Sequence, residues 1–337
     1  MKAKIVQSLS HFLLPVFLLP CIPLNREAQN VNPGSSVELS ECWRQKTNAM
    51  AGVIRDNFEY YAFLQDNEIK YPGKCIEGDC ISGDGKMIFP SGSYYKGKFK
   101  NGKFNGDGIA DSCSRNVSKG LFQNGFFISG IRFYSDGTIF EGKFDPNFGL
   151  FVNGNAKYAD GNRYEGKFDP KTGGRLEGKF TFQDGARFEG KFDPTTQHLI
   201  DGTKTFPDGM MFEGKFDSTT GQLVHGKETF PDGEIFEGKL DPSSGDWLEG
   251  KQILPDGSTY EGMFEPKTGH LIHGKKTFPD KTIFEGKFEP RTGYLIEGKF
   301  IYQGGTIFEG KFDPETGKLR SGKQTHPDGR IFEGNFD

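Results

Sequence analysis

The chain is 337 residues long and combines 48 glycines and 34 phenylalanines with only 34% hydrophobic residues. That makeup excludes one large compact core and points to many turns around a thin, aromatic-rich interior. Its 42 basic and 46 acidic residues leave a net charge of −4, which excludes the one-sided basic footprint of a nucleic-acid binder.

At the N-terminus, Lys2 and Lys4 precede the apolar run Leu9 to Leu24 (LSHFLLPVFLLPCIPL), and residues 1–21 read as an export signal. Gln7, Ser8, Ser10 and His11 shorten the run below the ~20 residues of a membrane span, and Pro15 and Pro20 disfavour a long helix. The tetrapeptide LLPC (Leu18 to Cys21) resembles a bacterial lipobox, with Pro20 where a small residue is usual. Cys21 is thus a lipidation candidate, the alternative being an incidental cysteine in a discarded signal. The location expected is the cell envelope, either lipid-anchored or periplasmic or surface-held, with the cytoplasmic face of a membrane as the alternative.

Cys42, Cys75, Cys80 and Cys113 remain, an even number that suits an oxidising compartment. Cys75 and Cys80 in CIEGDC are close enough to pair across a Gly-containing turn, or else stand as two free thiols in a strand pair. Residues 22–70 read as a linker or spacer: Asn30 to Ser36 (NVNPGSS) has linker composition, and Arg44 to Gln65 is either a short helix or more spacer. This stretch is too short to fold as an enzyme.

From residue 71 the chain repeats itself. The glycine of an [FY]EG triplet recurs at Gly142, Gly166, Gly190, Gly214, Gly238, Gly262, Gly286, Gly310 and Gly334, always 24 residues apart. A second glycine column from Gly154 to Gly322 lies halfway between. A third, after Asp, runs from Gly137 to Gly329 and is broken by Lys281 alone. Within a unit, Phe212-Glu213-Gly214-Lys215-Phe216 alternates as a strand does, and the glycines and prolines exclude helix. DSTTG and PDG have turn chemistry, and Leu223 to Phe230 reads as a second strand with Val224, Gly226 and Phe230 on one face. Each unit is therefore a β-hairpin, marginal alone and dependent on its neighbours for burial. The glycine between two phenylalanines leaves a slot over which a ring can lie. The Glu column of the triplets reads as a solvated face, with the Lys two residues on as counter-charge in most units.

The stretch YYKGKFKNGKFNGDG (Tyr94 to Gly108) resembles a MORN repeat, the membrane occupation and recognition nexus motif of the form YxGxWxxGxxxGxG, and PDGxxFEGKF resembles its continuation. Gly85 to Gly108 spans 23 residues, the usual MORN period, and strict 24-residue units run from about residue 137. The resemblance covers residues 71–337 and implies an all-β fold: an elongated, single-layer antiparallel hairpin solenoid of about eleven units. It also implies protein–protein contact, homotypic association and membrane apposition as roles. The strict units depart from the motif in two ways. The second glycine of GxG becomes polar, as in Gly274-Lys275-Lys276, and the hairpin turn is lengthened to FDPxTGxLIxG.

The longer turn adds two apolar columns, one with Leu199, Leu223, Trp247, Leu271, Leu295 and Leu319, the next with Ile200, Val224, Leu248, Ile272 and Ile296. Because adjacent strand residues face opposite ways, one column should join the aromatic ladder and the other lie on the charged face. The column headed by Leu199 is the candidate interaction stripe, its alternative being local packing at the turn.

The repeats offer no converging catalytic cluster. His198 and His270 share a column, as do His225 and His273, but two or three units apart, and neither zinc spacing nor a nucleotide or hydrolase motif is present. The expectation is a non-enzymatic scaffold without cofactor or metal, engaging protein partners, with membrane lipid contact and pairing through the C-terminal edge strand as further modes. The alternative is a lipid-headgroup or carbohydrate binder using exposed aromatic rings.

Overall fold

The computed structural model describes residues 73–112 and 116–336. They form 23 strands and no helix, from β1 (Lys74–Gly78) to β23 (Ile331–Asn335). Each strand pairs antiparallel with its sequence neighbours, so one open sheet follows chain order without a crossover. At ~4.8 Å per step the sheet extends roughly 100 Å along its hydrogen bonds. The all-β, single-layer hairpin array expected from the repeat is the fold. Residues 1–72, including the proposed signal, Cys21, Cys42 and the linker, lie outside the described residues, as does Cys113.

One hairpin shows how the unit forms. β13 (Met211–Phe216) and β14 (Leu223–Thr229) are joined by Asp217 to Gln222. The Asp217 carboxylate accepts the Thr219 and Thr220 N–H groups at 2.9 and 2.7 Å, and the Gly221 N–H donates to the Asp217 carbonyl at 2.8 Å with φ 72°. The PDG turn before β13 closes by Gly209 N–H to Phe206 O at 3.0 Å, with Gly209 at φ 91°. Both turns need positive φ, which glycine supplies without strain.

Across the pair, Gly214 faces Gly226 and Phe212 faces Glu228; the register then shifts between Lys215 and Phe216, so that Phe216 faces Leu223. The same bulge recurs along the sheet. It corrects the simple alternation read from sequence. One extra residue reverses the parity of the strand's first positions, and the column headed by Leu199 turns inward. Leu199, Leu223, Trp247, Leu271 and Leu295 are buried, with Leu271 only 1% exposed, and Leu319 packs partly buried against the same core. The column expected as an interaction stripe is core.

Every strand pairing contains a glycine facing a glycine, from Gly78 and Gly85 to Gly322 and Gly334. A Cβ on Gly214 would stand 2.2 Å from the His225 carbonyl oxygen and 2.7 Å from the Gly226 Cα. Over this bare row lie the first aromatic rings of the strands. The Tyr164 hydroxyl reaches along its own strand to donate to the Lys167 carbonyl at 3.1 Å. It lies 2.9 Å from where a Cβ on Gly166 would be. The rings of Tyr164 and Phe168 are 4.8 Å apart, although four strand residues span about 13 Å. Folding the ring over the glycine is what closes that gap. The result is one continuous aromatic–aliphatic cluster on a single face, from Cys80 through Tyr95, Phe122, Phe144 and Tyr164 to Phe312. Each such ring or leucine contributes about 1.5–3 kcal/mol by leaving water.

Candidate functional site

The two sheet faces have different chemistry. On the aromatic face, the position where GxG loses its second glycine points inward, and at Arg132, Lys204 and Lys276, spaced 72 residues or three units apart, it carries a cation. Each cation sits over two rings: Arg132 over Phe127 and Phe144, Lys204 over Phe188 and Phe216, Lys276 over Tyr260 and Phe288 at 5.1 and 4.5 Å. Each donates to the carbonyl of the turn glycine of the next hairpin. Arg132 Nη1 reaches Gly149 O at 3.0 Å, Lys276 Nζ reaches Gly293 O at 2.8 Å, and Lys204 Nζ bonds Gly221 O. Burial, which penalises the charged amine, pushes the Lys204 and Lys276 ammonium groups down to about 8.

Units without the cation fill the space otherwise. Glu228 accepts the Trp247 indole N–H at 2.7 Å, and Gln252 donates to Glu234 at 2.7 Å. Arg175, standing in the leucine column, lies 4.2 Å from the Phe180 ring centroid and donates through Nε to the Gln197 side chain at 2.9 Å. These groups tie the core together. Turns also stack on turns: Thr220 Oγ1 donates to Pro242 O at 2.8 Å, and Thr292 Oγ1 to Pro314 O at 2.9 Å.

The opposite face is polar and built in three rows parallel to the glycine row. The central row alternates charge from strand to strand. Glu213 faces Lys227, Glu237 faces Lys227 and Lys251, Glu261 faces Lys251 and Lys275, and the alternation continues to Glu333. From Glu213 onward each triplet glutamate therefore meets lysine across the strand boundary, which in most units supplements the lysine two residues along its own strand. The row nearer the long turn contributes ion pairs such as Lys167–Glu177 at 2.9 Å and Lys239–Glu249 at 3.0 Å. Such exposed pairs each contribute about 0–1 kcal/mol and are screened by salt.

The row nearer the PDG turns was not visible as a surface feature in the sequence. Met211, Thr229, Ile235, Ile253, Thr259, Thr277, Ile283, Ile301, Ile307 and Thr325 face one another in register. They are half-buried and take no part in the aromatic cluster. An apolar stripe on a charged face is therefore present, but three columns from where the turn insertion suggested. Half of the row stood in the sequence as the residue one before the [FY]EG aromatic, from Met211 to Ile307.

The other expected site residues are placed as follows. Cys75 and Cys80 form a disulfide, with Cα atoms 5.9 Å apart. Nδ1 of His198 lies 3.0 Å from the Ser218 carbonyl oxygen, and His270 meets Pro290 O in the equivalent turn; His225 and His273 stand exposed on the charged face. Among the described residues no group of three His, Cys, Asp or Glu side chains could hold a metal ion, and no helix is long and apolar enough to cross a membrane. β23 is exposed along its length.

No protein family model matches the chain, and no curated protein matches it. Among solved structures, one similar chain is the TCP domain of SAS-4 (dCPAP) from Drosophila melanogaster in complex with a proline-rich motif of Ana2 (dSTIL). It is 9% identical over 78% of this chain and 90% of that one, with a TM-score of 0.10. Another is a catalytically inactive virginiamycin B lyase from Staphylococcus aureus with quinupristin, 14% identical over 79% of this chain and 75% of that one, with a TM-score of 0.13. Likeness at those TM-scores carries no argument about this chain.

Proposed function

We propose that this chain is a non-enzymatic, MORN-like repeat scaffold that engages other proteins through its charged face, and that it is exported and held at a cell envelope. The observation that carries the reading is the division of labour between the faces. Most strand rings are used up in the core, while the opposite face repeats a Glu/Lys ladder beside a largely β-branched stripe at constant spacing. A regular surface of this kind suits an extended partner or many copies of one contact. Export and envelope attachment rest on residues 1–21 and on the disulfide at Cys75 and Cys80, a bond that persists in oxidising compartments.

Among the described residues, the two exposed tyrosines do not support the reading that exposed rings bind sugars or lipid headgroups. Tyr294 and Tyr302, 46% and 54% exposed, stand at opposite ends of β20 (Leu295–Ile301) and form no shared platform.

The test is capture of partners from the protein's own cells by wild type and by E165Q/K167Q/E177Q/K179Q, which neutralises the face on β9 (Arg163–Phe168) and β10 (Arg175–Thr181). Loss of captured proteins with unchanged thermal unfolding is expected; an identical set of captured proteins sinks the reading. Envelope attachment is checked by acyl labelling, which should be present in wild type and absent in Cys21→Ala.

A further inference from the structure

We propose that the charged face over strands β13 to β22 (Leu319–Thr325) is a self-association surface, and that its partner is a second copy of this chain packed face to face in a two-fold dimer centred between β17 (Thr259–Phe264) and β18 (Leu271–Thr277). The inference rests on the scaffold reading of this face and names its partner.

The argument begins with the order of residues along the face. Take a two-fold axis parallel to the strands and passing between β17 and β18. It lays β16 (Trp247–Ile253) of one copy on β19 (Ile283–Phe288) of the other, and β15 (Ile235–Leu240) on β20. Rows then lie on themselves, as an isologous contact requires. In the row nearer the PDG turns, Thr259 falls on Thr277, Ile253 on Ile283 and Ile235 on Ile301, so the six central strands read the same from either side of the axis, while further out Thr229 falls on Ile307 and Met211 on Thr325.

In the central row the axis joins an odd strand to an even one at every step, and because the row alternates, every glutamate meets a lysine. Glu261 falls on Lys275, Lys251 on Glu285 and Glu237 on Lys299. The third row agrees on the strands nearer the axis, while its outer lysines, Lys215 and Lys311, fall on Ser321 and His225. Glu249 falls on Lys287 and Lys239 on Glu297. An axis through a strand instead of between strands would set like on like throughout the central row, Glu on Glu alternating with Lys on Lys, so charge alone selects this class of register.

The size is adequate. Ten strands at ~4.8 Å by three rows at ~7 Å give roughly 1,000 Å² per copy, near the ~800 Å² per partner of a standard stable interface. Two sheets carrying flush β-branched side chains pack ~10 Å apart with nearly aligned strands. The apolar row supplies the desolvated strip and the flanking charges set the register. The central charged row lies in the middle of the footprint, so each glutamate there must be matched by a lysine of the other copy to offset its desolvation, and only the third row borders water.

The test uses the full chain in sedimentation velocity across a range of concentrations and salt. Wild type is expected to dimerise reversibly, and Ile253→Lys to sediment as a monomer with unchanged unfolding. The discriminating pair is Glu237→Lys alone and with Lys299→Glu. The single reversal sets like charges together twice per dimer and should weaken the dissociation constant about tenfold. The double reversal should restore it. Within one chain these residues are five strands, about 24 Å, apart, beyond the ~8–10 Å screening length, so only contact between copies can produce the rescue. A monomer at every concentration, as a lipid surface or an unrelated protein on this face would leave it, overturns the inference, and so does a double variant no better than the single. Either result leaves the scaffold reading to the capture experiment on β9 and β10, which lie outside the proposed interface.

Discussion

Lys281 occupies the one PDG turn without its glycine, and it keeps the turn unchanged. Its N–H donates to the Phe278 carbonyl at 2.9 Å, as Gly209 does to Phe206 at 3.0 Å, and its φ is 70° where the glycines of the column take 83–96°. A side chain in this left-handed region costs about 1–2 kcal/mol. Lys281→Gly removes that strain and returns about 0.4–1 kcal/mol through the greater freedom of glycine in the unfolded chain, so the net gain is about 1 kcal/mol. Because strands touch only their neighbours, the gain should be local to β18 and β19. Hydrogen exchange followed on peptides spanning residues 271–288 should slow about fivefold, the factor that ~1 kcal/mol represents. Lys281→Ala should show no gain, since alanine bears the same backbone strain. Equal slowing in the alanine variant, or faster exchange in the glycine variant, would refute the reasoning. Gln197 supplies the opposite case. It also has positive φ, 64°, at a position that is glycine in most units, but its side chain accepts the Arg175 N–H and Nε–H at 3.0 and 2.9 Å. Gln197→Gly leaves the Arg175 backbone N–H and Nε–H without that acceptor at about 1–3 kcal/mol, and exchange should quicken across residues 175–205.

Gly214→Ala should destabilise its hairpin by about 3 kcal/mol or more, because the new Cβ would sit 2.2 Å from a backbone oxygen at φ 143°. Gly209→Ala, with nothing within 4 Å, should cost only about 1 kcal/mol; equal losses in chemical denaturation would contradict the close-approach argument. Leu271→Ala should cost about 2–4 kcal/mol as a core truncation, and a neutral result would return that column to the surface. Lys204 and Lys276 should titrate near 8 by carbon-13 chemical shift, well below exposed lysines. A base whose folded pKa lies below its unfolded value binds fewer protons when folded. Local stability around these lysines should therefore rise from pH 8 toward the ordinary lysine range, and gain nothing below pH 8. Lys204→Met should abolish that rise in the β12 (Leu199–Thr205) to β14 region.

The repeat, the hairpin unit, both turn types and the single layer were legible in the sequence because each depends on local chemistry. Glycine columns mark positive φ and close approach, Asp and Pro mark turns, and strand alternation marks two faces. The pairing of Cys75 with Cys80 was legible for the same reason, five residues being a turn's length. The glutamate column was read correctly as solvated. Which lysines answer it across the strand boundary depends on register, and register is not local. The interaction stripe failed on the same ground: a bulge between Lys215 and Phe216 adds one residue, and one residue reverses which face the next side chain takes. Strand alternation alone therefore assigned Leu199 and its column to a surface and overlooked Ile253 and Ile283. By itself the sequence determined the unit, its period and the chemistry of its turns, since these are settled within a few neighbouring residues. Only the tertiary structure decided which column is core and which charges meet, because both follow from how one strand slides against the next before the hydrogen-bond ladder locks.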